Sequence, residues 1–220
     1  MSGIGEGELI NLYKKLFEFY GKQNWWPVDY EYHTLHKTDP REEIIIGAIL
    51  TQNISWRNVE KALENLKKAK ALSFEGIGKI PLDKLKELIK SSGFYKQKAV
   101  YLKNFVEIFR SIDDLKNISR EELLKVKGIG RETADVILLY ALDRLSFVVD
   151  TYTKRLLIRL WNIEGSYEEI KKLFEENLPK DLEIYKEFHA LIDVHCKKFC
   201  RKKPVCKDCP IADICSFYSR

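Results

Sequence analysis

Apolar residues recur every three or four positions along most of the chain, a period that predicts helices rather than strands. Leu9, Leu12, Leu16 and Phe19 form one stripe over residues 8–20. Residues 42–52 (EEIIIGAILTQ) are apolar nearly all round, the pattern of a helix buried at the centre of a domain. Asn58 to Ala69 is amphipathic. Pro81 opens a helix striped by Leu82, Leu85, Leu88 and Ile89 that closes near Gly93. Residues 99–112 continue the pattern, and Ser119 with Glu122 makes a capping box before Leu123, Leu124 and Val126. Helices over 133–142, 151–161, 167–178 and 182–199 complete the set. The best strand candidate, Leu145 to Val149, is short and isolated. The pattern predicts an all-α chain of about ten helices joined by short loops.

Composition narrows this. With 45% hydrophobic and 12% aromatic residues the chain has the material for a core, which excludes wholesale disorder. Its 220 residues suffice to bury that core without staples. The longest apolar run, Ile44 to Leu50, is far short of the roughly 20 residues that span a bilayer. The opening MSGIGEGELINLYKK has no basic stretch followed by an apolar one, so no secretory signal and a cytoplasmic location are expected. The net charge of +5 is mild, so where the charges cluster matters more than their sum.

All five cysteines lie between Cys196 and Cys215, whereas a secreted disulfide scaffold would spread them. Cys200, Cys206, Cys209 and Cys215 are spaced x5, x2, x5. Structural zinc usually shows two short C-x2–4-C knuckles. One short pair with longer arms fits a [4Fe–4S] cluster better, with zinc as the alternative. Cys196 is the spare, a small residue on a helix face that could stand in for Cys200. Six basic residues (Lys197, Lys198, Arg201, Lys202, Lys203 and Lys207) and no acidic ones lie between Val194 and Lys207. A charge run of this kind is ordinarily a solvated face. Made rigid by a cluster, it becomes a phosphate-contact surface, with Lys202 and Lys203 the residues chosen.

Two predicted helices meet at Gly128-Ile129-Gly130. Glycines there permit backbone conformations that bulkier residues resist, and leave amides uncovered at a helix start, where anions bind. Lys127, Gly128, Ile129, Gly130 and Arg131 then form a phosphate grip, with Ile129 tucked inward. The alternative is a plain tight turn. Gly76-Ile77-Gly78 repeats the tripeptide, but without a closely preceding helix.

The segment LKVKGIGRETADVILLYA followed by FVVDTYTKRL, with the buried helix ending in LTQN and the cysteine tail, resembles the endonuclease III superfamily of helix-hairpin-helix DNA glycosylases. The resemblance covers nearly the whole chain. It implies two helical subdomains with the active site in the cleft between them. One spans about residues 24–140 and contains the hairpin (119–142). The other combines about 1–23 with 141–199, and an iron–sulfur loop occupies 200–220. It implies a catalytic aspartate at Asp150, whose carboxylate stabilises the positive sugar or activates water. Asp150 also suits the cap of the helix starting at Thr151. Members that nick DNA carry an imine-forming lysine two residues after the second glycine. Glu132 stands there, eighteen residues before Asp150, which implies a monofunctional enzyme. The rival role for Glu132 is a solvated first-turn residue. The implied partner is damaged double-stranded DNA, bound by a monomer, with a [4Fe–4S] cluster and no membrane.

Asn24-Trp25-Trp26-Pro27, LTQN, SGFYKQKA and KGIGRETAD together look most like the 3-methyladenine DNA glycosylase III branch. That resemblance implies a base pocket of Trp25, Trp26, Pro27 and Glu132, with an alkylated purine stacked on the aromatic wall. A hydrophobic lid is the plainer reading of the tryptophans. Glu42, Ile44 and Ile45 occupy the stretch where family members place a second aromatic. Gln52 or Asn53 would fill the hole left by the flipped nucleotide. The alternatives are a pyrimidine or mismatch glycosylase, an endonuclease III-type glycosylase with lyase activity, or a non-catalytic DNA-binding iron–sulfur protein.

Overall fold

A computed structural model describes residues 4–218, and among them every regular element is helical. In chain order the helices are α1 (Glu6–Tyr20), α2 (Tyr30–His36), α3 (Pro40–Thr51), α4 (Trp56–Lys68), α5 (Phe74–Lys79) and α6 (Leu82–Leu88). There follow α7 (Tyr95–Ile108), α8 (Arg120–Lys125), α9 (Arg131–Val136), α10 (Thr151–Trp161), α11 (Tyr167–Asn177) and α12 (Leu182–Lys198). No helix among the described residues is long and apolar enough to cross a membrane.

The chain forms two compact units. One is Trp26–Asp143; the other joins the described residues up to Trp25 to those from Arg144 onward. In the first, α3 is the core helix. Residues 42–50 are all buried, and α3 packs against α4, α7, α9 and the π-helical turn Ile137–Ala141 that extends α9. An all-round apolar sequence thus becomes an all-round buried helix. The two carboxylates in its first turn are buried with partners: Glu42 accepts from the Phe74 amide (2.9 Å), and Glu43 from the Asp29 amide (2.9 Å) while pairing with His33 (3.0 Å). Burial outweighs the Phe74 bond and pushes the Glu42 carboxyl above its ordinary pKa.

In the second unit α12 packs on α1 and α10, and α1 also on α11. Its core is aromatic: Phe147 stacks on Phe174 at 4.1 Å, with Tyr185 and Phe188 meeting it edge-on.

Residues 144–150 belong to no helix or strand, which corrects the expectation for Leu145–Val149. Phe147 donates its amide to Glu175 (2.9 Å) and Val149 to the Tyr167 hydroxyl (3.4 Å). Side chains of α11 thus satisfy the backbone that a partner strand would otherwise satisfy. Pro81 caps α6 rather than opening its first turn. The short helices α2 and α5 escaped the periodicity, and α5 absorbs Gly76-Ile77-Gly78 within a helix.

Candidate active site and nucleic-acid interface

The hairpin of α8 and α9 is built from local signals. Ser119 and Glu122 form the capping box of α8, with Ser119 N to Glu122 Oε2 at 2.7 Å. Arg120 grips the fully buried Asp135 of α9 through two bonds of 2.8 and 3.0 Å. Ile129 is buried and its amide donates to the Val126 carbonyl (3.0 Å), so it locks the turn and offers no free donor. Gly128 has φ +94°, and a Cβ there would lie 2.2 Å from the Tyr101 ring. Gly130 is different: its backbone is extended (φ −89°, ψ 177°), and an added Cβ would meet nothing within 4 Å. Conformational need therefore explains Gly128 and not Gly130; what Gly130 leaves is open space over the amides at the start of α9. The amides of Gly128 and Gly130 donate to no group of the described residues, and Lys127 and Arg131 flank them exposed.

At the end of α3 the two candidate wedge residues separate. Gln52 donates its side-chain amide to the Gly128 carbonyl (2.8 Å) and to Thr133 Oγ1 (3.0 Å), so it braces the hairpin. Asn53 is exposed in the left-handed region at φ +56°. Phe94 stands in a neighbouring loop, and the hydrophobic pattern gives it no role. It is 70% exposed at φ +45°, a conformation that costs a bulky residue energy and that concentrates at functional sites. The two loops touch: a Cβ on Gly93 would lie 3.3 Å from Ile54 Cδ1. An aromatic directly after glycine in SSGFYK was the available signal.

Asp150 caps α10, its Oδ1 accepting from the Thr153 amide (2.7 Å) and hydroxyl (2.8 Å). The cap holds one carboxylate oxygen and orients the other. His189 of α12 is buried in the same unit. Burial lowers its pKa, although the charges of Asp150 and Asp193 pull it upward. Lys197 binds Asp193 at 2.6 Å and lies 5.9 Å over the Trp25 ring, which meets His189 edge-on at 5.8 Å.

The two tryptophans belong to different units. Trp26 lies edge-on to Trp56 (5.3 Å) and Tyr140 (5.6 Å), and its indole passes 3.3 Å from where a Cβ on Gly47 would be. Pro27 is exposed and, with Trp56, lines a cleft of about 560 Å³ along α4. Glu132 is exposed on the first turn of α9.

Cys200, Cys206, Cys209 and Cys215 line one small pocket, with apolar neighbours including Leu160, Phe199 and Ile211. Arg159 donates to Cys200 Sγ (3.2 Å) and to the Arg201 and Lys202 carbonyls (2.6 and 3.2 Å). A hydrogen bond from Cys196 and the Arg159 guanidinium together bring the Cys200 thiol down to about 6 against the effect of burial. Cys196 is buried, its thiol 3.6 Å from the Tyr152 carbonyl. Among the described residues no three His, Cys, Asp or Glu side chains are grouped to hold a single metal ion. All six residues of the basic run are exposed; Lys197 pairs with Asp193, Lys198 lies over the Tyr20 ring (5.3 Å), and Arg201 donates to the Lys198 carbonyl (3.0 Å).

Residues 46–180 match the profile of the HhH-GPD superfamily of base excision DNA repair proteins. A Methanocaldococcus jannaschii protein described as a DNA repair glycosylase is 52% identical over 219 residues, covering 94% of this chain and 95% of its own. Endonuclease III of Thermotoga maritima is 31% identical over 191 residues, covering 84% and 87%. Among solved structures, the H. pylori 3-methyladenine DNA glycosylase bound to 1,N6-ethenoadenine superposes with a TM-score of 0.73 at 30% identity, over 89% of this chain and 98% of that one. A trapped endonuclease III–DNA covalent intermediate superposes with a TM-score of 0.80 over 98% of each chain; at 21% identity that likeness is one of fold.

Proposed function

The chain belongs to the HhH-GPD superfamily and is a base excision repair DNA glycosylase; from that premise we propose that it is monofunctional and removes alkylated purines from duplex DNA. Water adds to C1′ as the N-glycosidic bond breaks and gives up one proton, and the base leaves with the bonding electrons; a cationic 3-alkyladenine departs directly as the neutral base, whereas a neutral ethenoadenine takes up a proton as it leaves. Asp150 is the catalytic residue, its carboxylate facing the positive charge that develops on the sugar. The observation that carries this reading is the cap geometry, in which Thr153 holds one Asp150 oxygen through two bonds and thereby aims the other.

Glu132 stands where strand-nicking relatives place a lysine. A carboxylate forms no imine, so the product is an abasic site. Trp25, Trp26, Pro27 and Glu132 are each assigned to the flipped base on the likeness to the 3-methyladenine glycosylase branch, the tryptophans as aromatic faces. Support for an alkylated purine comes from the likeness to the H. pylori enzyme with its bound ethenoadenine. Asn53 and Phe94 enter the duplex, while Gln52 braces the hairpin. The Gly128 and Gly130 amides, Lys127, Arg131, Lys202 and Lys203 hold phosphates without reading sequence.

The four thiols fit a [4Fe–4S] cluster. Four sulfur donors and no carboxylate line one pocket, and Arg159 favours the thiolate of Cys200. Such a cluster supplies cross-links and a fixed charge. Cys200, Cys206, Cys209 and Cys215 would hold it and so tie the basic loop to α10.

A panel of duplexes carrying single lesions tests the reading. Release of free 3-methyladenine or ethenoadenine is expected. Asp150→Asn should slow it about 10²–10³-fold while leaving affinity for undamaged DNA intact. Borohydride should trap no covalent adduct. Release of thymine or an oxidised pyrimidine with efficient trapping would instead support the endonuclease III-type reaction that the Thermotoga relative's name suggests.

A further inference from the structure

Lys98, in the SGFYKQKA segment, reads as a surface residue of α7, yet it is 2% exposed. Its Nζ donates to the Leu50 carbonyl (2.8 Å) and to the Ser92 carbonyl (2.6 Å). No carboxylate forms an ion pair with it among the described residues. Burial brings the ammonium down to about 8, so at neutral pH it still carries its proton.

A buried, unpaired charge is costly, and a methionine would fill the same space without that cost. What the ammonium does here is specific. Leu50 lies in the last turn of α3, where carbonyls lack partners within the helix, and the negative end of the helix dipole favours a cation. Three residues beyond Leu50 stands Asn53, and two beyond Ser92 stands Phe94. One ammonium therefore joins the roots of the two loops whose tips are exposed in left-handed conformations.

We propose that Lys98 is a positioning residue that ties these two loops to one point, setting Asn53 and Phe94 as a paired probe of the duplex. This rests on the reading above that both tips enter DNA. The clamp acts on the inserted state rather than on the first encounter, because phosphate grip belongs to the hairpin and the exposed lysines.

The probe for the test is a duplex with a tetrahydrofuran abasic analogue next to 2-aminopurine, whose emission rises when its stacking is broken. Wild type should raise the emission, and Asn53→Ala and Phe94→Ala should each lower it. Lys98→Met should lower it about fivefold to tenfold, with undamaged-duplex affinity and far-ultraviolet circular dichroism unchanged. Lys98→Arg, which keeps two donors, should restore most of the signal. If Lys98→Met does not fold, Lys98→Gln, which keeps a donor group but is shorter and uncharged, should give an intermediate emission. Full emission from Lys98→Met or Lys98→Gln, while both tip variants lose it, overturns the clamp alone. Equal loss of emission, helicity and undamaged-duplex affinity also overturns it, by making Lys98 merely structural. Unchanged emission from both tip variants overturns the probe reading, and the clamp with it.

Discussion

Replacing Gly128 with alanine should damage the fold, while the same change at Gly130 should damage only DNA binding. At Gly128 the added methyl would lie 2.2–2.5 Å from three atoms of the Tyr101 ring, on a backbone at φ +94°. A non-glycine residue in such a region costs about 1–3 kcal/mol, and forcing a methyl into a packed site costs about 1–3 kcal/mol more. For a chain of this size, where 1 kcal/mol moves Tm by about 2–4 °C, the sum of about 2–6 kcal/mol is a fall of about 4–24 °C. At Gly130 nothing lies within 4 Å and the backbone is extended. The lower unfolded-state entropy of alanine and its poorer capping roughly offset each other, within about 1 kcal/mol. The methyl would nevertheless cover the open amides. Thermal melts followed by circular dichroism, and binding to an undamaged duplex across a salt series, separate the two effects. Gly130→Ala should keep its Tm, bind more weakly, and show a shallower log–log salt slope, where each phosphate contact is worth about −0.9. Adding Tyr101→Ala to Gly128→Ala should recover the steric part of the loss and leave the dihedral part. A Gly128→Ala protein melting within a degree of wild type, or equal losses of Tm at both positions, would refute the reasoning.

Two further outcomes are expected. Protein purified anaerobically should be brown and carry about four irons per chain, and Cys206→Ala should lose the iron and the order of the loop after Cys200; a colourless protein with stoichiometric zinc would refute the cluster. Glu42→Gln should raise Tm at neutral pH, because a carboxyl held above its ordinary pKa by burial weakens the fold as pH rises through that raised value. The gain should vanish below about pH 4, where unfolded-chain glutamate is itself protonated, and an equal gain at both pH values would show that charge is not the cause.

Much of this molecule was legible from local pattern. The stripe of α1, the all-apolar α3, the Ser119–Glu122 cap and the Gly128-Ile129-Gly130 turn are each specified within a few neighbours, so residue order alone reveals them. Asp150 was legible as a helix cap, and the cap is present. The four cysteines were legible by spacing, and they line one pocket. The helices α2 and α5, of seven and six residues, were missed because two turns hold too few apolar positions to display a period. Leu145–Val149 has a strand's composition, but its hydrogen-bond partners are side chains of α11.

What depended on tertiary contact were the meetings of groups distant along the chain. Gln52 and Asn53 are adjacent and chemically alike, yet only Gln52 reaches Gly128, seventy-six residues away. Trp25 and Trp26 are adjacent too, and they pack in different units. Lys98 has the sequence of a solvated lysine and is buried on two carbonyls, one of them forty-eight residues distant. Periodicity records which face of a segment avoids water. It carries no information about which donor will find which acceptor once those faces are packed, and that pairing follows from the placement of whole helices.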